Sequence, residues 1–148
     1  MNSTDTLEID ETKMPKVVRS CDVRLPAGLL GFEKIKDYLL IANPKEEPFR
    51  WLRMKSNPSL AFIVIEPIFV LPDYQPDIPQ ADVDFLELSS PDDALVYNIV
   101  TLHGPKHATA NLKGPVVINR RTGVAKQVVL ANATQYSAQH PLPVRETA

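Results

Sequence analysis

The sequence predicts a mainly β protein: a small antiparallel, barrel-like single domain with one or two short helices. Proline is the first reason. Fourteen prolines against five glycines cut the chain into short pieces, because proline breaks helix interiors and cannot donate to a sheet ladder. The second reason is that short apolar or alternating runs recur between turn-forming clusters, the pattern of antiparallel barrels and sandwiches. The third is size. A length of 148 residues suits one domain, which hides roughly 68–70% of its unfolded surface without staples. Cys21 is the only cysteine, so no intrachain disulfide forms and nothing points to an oxidising compartment. No fixed-period repeat is visible, which argues against solenoids and propellers.

Residues 1–15 are polar and acidic and read as a disordered tail. Cys21, Val23 and Leu25 then alternate with Asp22 and Arg24, the period-two mark of a half-buried strand. Pro26 to Phe32 is a compact glycine-containing loop. Lys36 to Ala42 reads as a second strand, Asn43 to Pro48 as a turn, and Phe49 to Met54 as a third strand. Leu60 to Ile65 is apolar at every position, which fits a central strand covered on both faces. Pro67 interrupts it, and Ile68 to Leu71 resumes it. Trp51 and Phe62 are expected in the core, the alternative for Trp51 being an exposed aromatic anchor.

Pro79 to Leu88 is the best helix candidate, with Pro79 near the first position and Val83 and Leu86 three apart. Phe85, Leu86 and Leu88 also fit a strand. Ser90-Pro91-Asp92-Asp93 has the form of an N-cap, a first-position proline and two acids in a short turn. Leu95 to Leu102 is a strong strand, followed beyond His103-Gly104-Pro105 by Thr109 to Lys113 and Val116 to Asn119. Arg120 to Gly123 is a hairpin connection and Lys126 to Ala131 the returning strand. Residues from Pro141 onward read as a tail.

Charge is distributed unevenly. The net charge is only −2, yet Glu66, Asp73, Asp77, Asp82, Asp84, Glu87, Asp92 and Asp93 fall between residues 66 and 95 with no Lys or Arg among them. The plain reading is a solvated surface kept in solution by its charge. The sharper reading is a docking surface for a basic partner, since a field of one sign steers association. The same field disfavours nucleic acid as a direct ligand there.

Signatures of catalysis are missing: no phosphate-cradling glycine loop, no HExxH, no CxxC and no GxSxG. No cofactor is expected. His103 and His107 have a spacing that chelates a metal from a helix, but Gly104 and Pro105 between them rule that helix out, and they read as ordinary loop residues. His140 has no evident partner. Arg120 and Arg121 could contact phosphate, though a basic hairpin tip is more often a solvated turn. The first 12 residues hold Asp5, Glu8, Asp10 and Glu11 and no base, unlike a signal peptide. The longest apolar run, Leu60 to Ile65, is far below the ~20 residues of a membrane span. A cytoplasmic location is therefore expected, and the sequons at Asn2 and Asn132 carry no weight.

Taken in order, several segments resemble the FliW family of flagellar assembly factors. Leu25-Pro26-Ala27-Gly28-Leu29-Leu30-Gly31-Phe32-Glu33 is similar to its FPxGLxGF segment, and Pro48-Phe49-Arg50-Trp51-Leu52 to its PFxWLQ strand. Pro58-Ser59-Leu60-Ala61-Phe62 and Leu71-Pro72-Asp73-Tyr74 follow, then Asn98-Ile99-Val100-Thr101, Thr109-Ala110-Asn111-Leu112 and Gly114-Pro115-Val116-Val117-Ile118-Asn119. Gly123, Lys126-Gln127-Val128-Val129-Leu130, Tyr136 and His140-Pro141-Leu142 complete the series. Gln75-Pro76-Asp77 departs from it by placing a proline where a strand residue is usual.

The resemblance implies a β-barrel-like domain over residues 16–143, with 144–148 as a C-terminal tail, and no enzymatic activity. It implies two partners, flagellin and the RNA-binding translational regulator CsrA. CsrA binding would relieve repression of flagellin translation, flagellin would compete for the same factor, and the acidic stretch could repel bound RNA. The partner-binding candidates are then Glu66, Asp73, Tyr74, Asp77, Asp92, Asp93, Asn98 and Asn111. A flagellin-only chaperone is the alternative, with a small enzyme or an RNA-binding barrel further off.

Overall fold

The computed structural model describes residues 18–143; both expected tails, 1–15 and 144–148, lie outside the described residues. Nine strands join in one sheet. They are β1 (Arg19–Arg24), β2 (Asp37–Ala42), β3 (Phe49–Met54), β4 (Ala61–Ile65) and β5 (Ala94–Gly104), then β6 (His107–Ala110), β7 (Val116–Asn119), β8 (Ala125–Gln127) and β9 (His140–Pro141). The connections hold one short helix, α1 (Gln80–Phe85), and three 3-10 turns at Pro67–Phe69, Pro91–Asp93 and Ala133–Gln135. The predicted class, mainly β with a short helix, is what the chain adopts.

The strands follow the order β1-β2-β3-β4-β5-β6-β9, and β7 branches from β5 to pair with β8. All ladders are antiparallel. β5, 11 residues long, is the hub. Ala94 to Tyr97 pair with β7, and the residues from Asn98 onward pair with β4 and β6. The expected barrel is not closed by ladders. β1 and the β7–β8 hairpin meet through one parallel bridge, Arg24 to Val124, with the Arg24 N–H donating to the Gly123 carbonyl at 2.9 Å.

Local chemistry explains where strand expectations shift. Ile68–Leu71 is not a resumed strand, because Pro67 opens a 3-10 turn whose carbonyl accepts the N–H groups of Val70 and Leu71 at 2.9 Å. The strand expected at 109–113 lies earlier, at His107–Ala110. The Asn111 Oδ1 accepts the N–H groups of Lys113 and Gly114, both at 3.0 Å, and turns the chain. β8 stops at Gln127, since Pro115 opposite has no N–H to continue the ladder. Pro141 is no tail: it pairs with Thr109, and Leu142 N–H donates to the Ala108 carbonyl at 3.0 Å.

The main core gathers Val23, Leu25, Tyr38, Leu52, Val64 and Tyr97 under β1 to β5. Phe62 packs against it opposite Leu52. Trp51 does not join that cluster. Side chains alternate along a strand, so with Leu52 only 1% exposed its neighbour points to the other face. There Trp51 is half-buried and its indole N–H donates to Glu46 Oε1 at 2.9 Å. Leu52→Ala is therefore expected to lose about 2–5 kcal/mol, and Trp51→Ala less than half of that, measured by urea unfolding. Equal losses would return Trp51 to the core.

Candidate protein-docking site

In space the acidic stretch is not uncompensated. Three bases of the β7–β8 hairpin pack against it: Lys126 pairs with Asp82, Arg121 Nε lies 3.6 Å from Asp93 Oδ1, and Arg120 Nε donates to the Asp92 carbonyl at 3.0 Å. Lys126 also lies over the Phe85 ring, 5.5 Å from its centroid. Arg120 and Arg121 are thus clamps on the acidic segment rather than a purely solvated tip. The expectation missed them because it counted charges along the chain, where these bases lie far from the acids they meet. Asp82 is buried and Asp93 half-buried, each held by its ion pair. Asp73, Asp77, Asp84, Glu87 and Asp92 are exposed and form no ion pair among the described residues. Glu66 is half-buried, ahead of the Pro67 turn.

Asp93 acts locally. Its carboxylate accepts the N–H groups of Ser89 at 2.9 Å and Ser90 at 3.2 Å. The Ser89 N–H, helped by Ser90 and Arg121 and opposed by partial desolvation, holds this carboxyl below the usual aspartate range. The Ser90-Pro91-Asp92-Asp93 turn is the expected capped one, as a 3-10 turn.

Helix α1 supplies a feature the sequence reading did not single out. It ends as Leu88 N–H donates to the Val83 carbonyl and Glu87 N–H to the Asp84 carbonyl, both at 3.1 Å, the two bonds of a Schellman stop. The left-handed residue of that stop is ordinarily glycine, but here it is Glu87 with φ 55°. A side chain in this conformation costs roughly 1–2 kcal/mol. The Asn119 side chain, fully buried, holds the stop in place by donating to the Leu86 carbonyl at 2.7 Å. Beside it Pro76, Ile78, Val83, Leu88, Pro91 and Val96 line a groove of about 450 Å³. Ile78, Leu88 and Val96 rest on the buried cluster Leu86, Val117, Val128 and Leu130.

The other candidates divide. Tyr74 is half-buried: its hydroxyl donates to the Leu112 carbonyl at 2.6 Å, its ring meets Tyr136 edge-on at 4.7 Å, and burial pushes its pKa up to about 12. Asn98 is 0% exposed, and its amide donates to the Asn111 carbonyl at 2.9 Å. Asn111 turns the chain as described above. Asn98 and Asn111 therefore brace the sheet junction, and Asn98 presents nothing to a partner. Between Tyr74 and Asp77 the proline-containing segment is pinned to the 131–136 turn. Gln75 N–H donates to the Tyr136 hydroxyl and Asp77 N–H to Asn132 Oδ1, each at 3.0 Å. This leaves the carboxylates of Asp73 and Asp77 outward on an ordered frame.

Elsewhere, Leu30 is 83% and Val129 75% exposed, and they border a second groove of about 510 Å³ with Gly28, Asn111 and Lys113. His103 and His107 are strand residues of the β5–β6 hairpin, not loop residues, with ring centroids 5.0 Å apart. Among the described residues no three His, Cys, Asp or Glu side chains cluster as metal ligands, and no helix is long and apolar enough to cross a membrane.

The fold and its surfaces define an antiparallel β domain that carries an acidic stretch and apolar surface grooves. A family model for the FliW protein matches residues 2–142. A flagellar assembly factor FliW from Moorella thermoacetica is 32% identical over 139 residues, covering 93% of this chain and 82% of that protein. Another, from Leptospira biflexa, is 39% identical over 109 residues, covering 72% and 71%. A crystal structure of the flagellar assembly factor FliW superposes with a TM-score of 0.74 at 32% identity, covering 85% of this chain and 88% of that one. The chain belongs to the FliW family of flagellar assembly factors.

Proposed function

We propose that this chain is a cytoplasmic partner-switch protein that binds CsrA, relieving its repression of flagellin translation, and that binds flagellin in competition with it. Family membership supports the two partners, as the resemblance implies. The observation that carries the CsrA half is the set of five exposed, unpaired acids, Asp73, Asp77, Asp84, Glu87 and Asp92, on a frame fixed by internal hydrogen bonds. A basic RNA-binding protein matches that field, and RNA is repelled by it. Apolar grooves on the same molecule offer flagellin a contact of another kind. A face that combines charge with apolar area suits two partners that exclude each other.

Calorimetric titration with each purified partner tests the reading. Both are expected to bind the whole chain, and deletion of residues 1–14 is expected to leave both affinities within about twofold, a difference of roughly 0.4 kcal/mol. Binding of flagellin alone would favour the chaperone without CsrA antagonism. Binding of neither would remove the function, and loss on deletion alone would move the site into the tail.

A further inference from the structure

Beyond the charged field there is a specific seat. We propose that the groove beside α1, floored by Ile78, Val83, Leu88 and Val96, takes apolar side chains from a basic segment of the protein partner. The proposal rests on the reading that a basic protein docks against the acidic stretch. Ile78, Leu88 and Val96 of its floor are half-buried against the cluster of Leu86, Val117, Val128 and Leu130, so an apolar side chain entering it extends an existing core. At about 450 Å³ it has room for more than one aliphatic side chain.

Charge complementarity selects the occupant. In the chain Asp77 precedes Ile78, Asp84 follows Val83, Glu87 precedes Leu88 and Asp92 follows Pro91, so four exposed carboxylates lie one residue from the groove's lining. An acidic or neutral apolar segment would leave these carboxylates unmatched, whereas lysine or arginine on either side of a buried leucine meets them. Arg120 and Arg121 donate to the backbone carbonyls of Asp92 and Glu87, but among the described residues the ion pairs of Arg121 and Lys126 go to Asp93 and Asp82 and none reaches these four carboxylates. Val83 and Leu88, two of the floor residues, are also the residues joined by the helix stop. The stop that shapes the groove also fixes Glu87, one residue from Leu88 in the chain, where it lines the neighbouring hollow with Phe85, Leu86 and Thr122. Glycine would satisfy the backbone there without strain; glutamate adds a carboxylate.

The test uses the whole chain, labelled with ¹⁵N, and a synthetic hexapeptide with two leucines flanked on each side by lysine and arginine. Amide shifts are expected to concentrate at Ile78, Val83, Leu88 and Val96. A peptide with serines replacing the leucines should bind at least about tenfold more weakly. Glu87→Gly should melt no lower than the wild type, and by loss of strain up to about 2–4 °C higher, while binding the leucine peptide more weakly. That opposition separates a recognition residue from a structural one. No shifts, shifts scattered over the acidic surface, or equal binding of both peptides would overturn the groove. If the peptide maps to the groove but CsrA does not bind the chain, the seat stands and the named partner falls. CsrA shifting amides only outside these four residues would overturn the groove as the partner's seat.

Discussion

Replacing Gly28 with alanine is expected to cost the fold about 3 kcal/mol or more, the sum of a conformational penalty and a collision. Gly28 has φ +70°, and a Cβ there would lie 2.5 Å from the Glu33 Cα and 2.6 Å from the carbonyl oxygens of Phe32 and Glu33. Those are backbone atoms, so no flexible side chain can yield. The loop is tied down around them: Phe32 N–H donates to the Leu29 carbonyl at 2.7 Å, and Leu29 is 1% exposed. Gly31 provides the control. Its φ is +88°, but nothing lies within 4 Å of the added carbon, so Gly31→Ala should pay only the conformational part, roughly 1–2 kcal/mol. In a domain of this size each kcal/mol moves the melting temperature by about 2–4 °C. Melting temperatures that fall by the same amount in both variants would mean that the close approach at Gly28 is not what holds the loop.

A second large effect is expected in kinetics. Five exposed, unpaired acids should steer a basic partner, raising association toward ~10⁸ M⁻¹s⁻¹ at low salt against ~10⁵–10⁶ for uncharged encounters. Raising salt from 0.1 to 1 M shortens the Debye length from about 10 Å to about 3 Å, so stopped-flow association with CsrA should slow by at least about tenfold. Reversal of Asp73 and Asp77 to lysine should slow it further at low salt and leave the fold intact. Both side chains are exposed, and the hydrogen bonds of Asp77 to Asn132 and Ala131 use its backbone. Asp82 and Asp93 do not serve this test, because their reversal would break internal pairs with Lys126 and Arg121. Rates equal at both salts and in both proteins would reduce the acidic stretch to a solvated surface.

Much of the sheet was legible in the sequence because its signals are local. Phe49–Met54 and Val116–Asn119 carry enough apolar and β-branched residues, with turns on either side, for their bounds to be read directly. The misreadings arose where a distant group decides. Asn111 ends β6 with its own side chain, and Pro115 withholds a donor from residues a dozen positions away. Trp51 looked like core by composition, yet the face of β3 that turns inward is fixed by Leu52 and Met54. The site was legible as a charge run and no further. Which acids are free depends on where the β7–β8 hairpin folds back, and nothing in residues 66–95 announces Arg121 or Lys126. Glu87 could have been found by one signal, the absence of glycine after a helix that must stop before Ser89, but that requires knowing where α1 ends.

Competition between the two partners tests the proposed switch most directly. The complex of this chain with CsrA, immobilised through CsrA, is challenged with increasing flagellin while the chain released into solution is measured. Mutual exclusion predicts release of the chain in step with flagellin added, and recovery of RNA binding by the CsrA left behind. A stable assembly of all three proteins, or a chain that never bound CsrA, would contradict it.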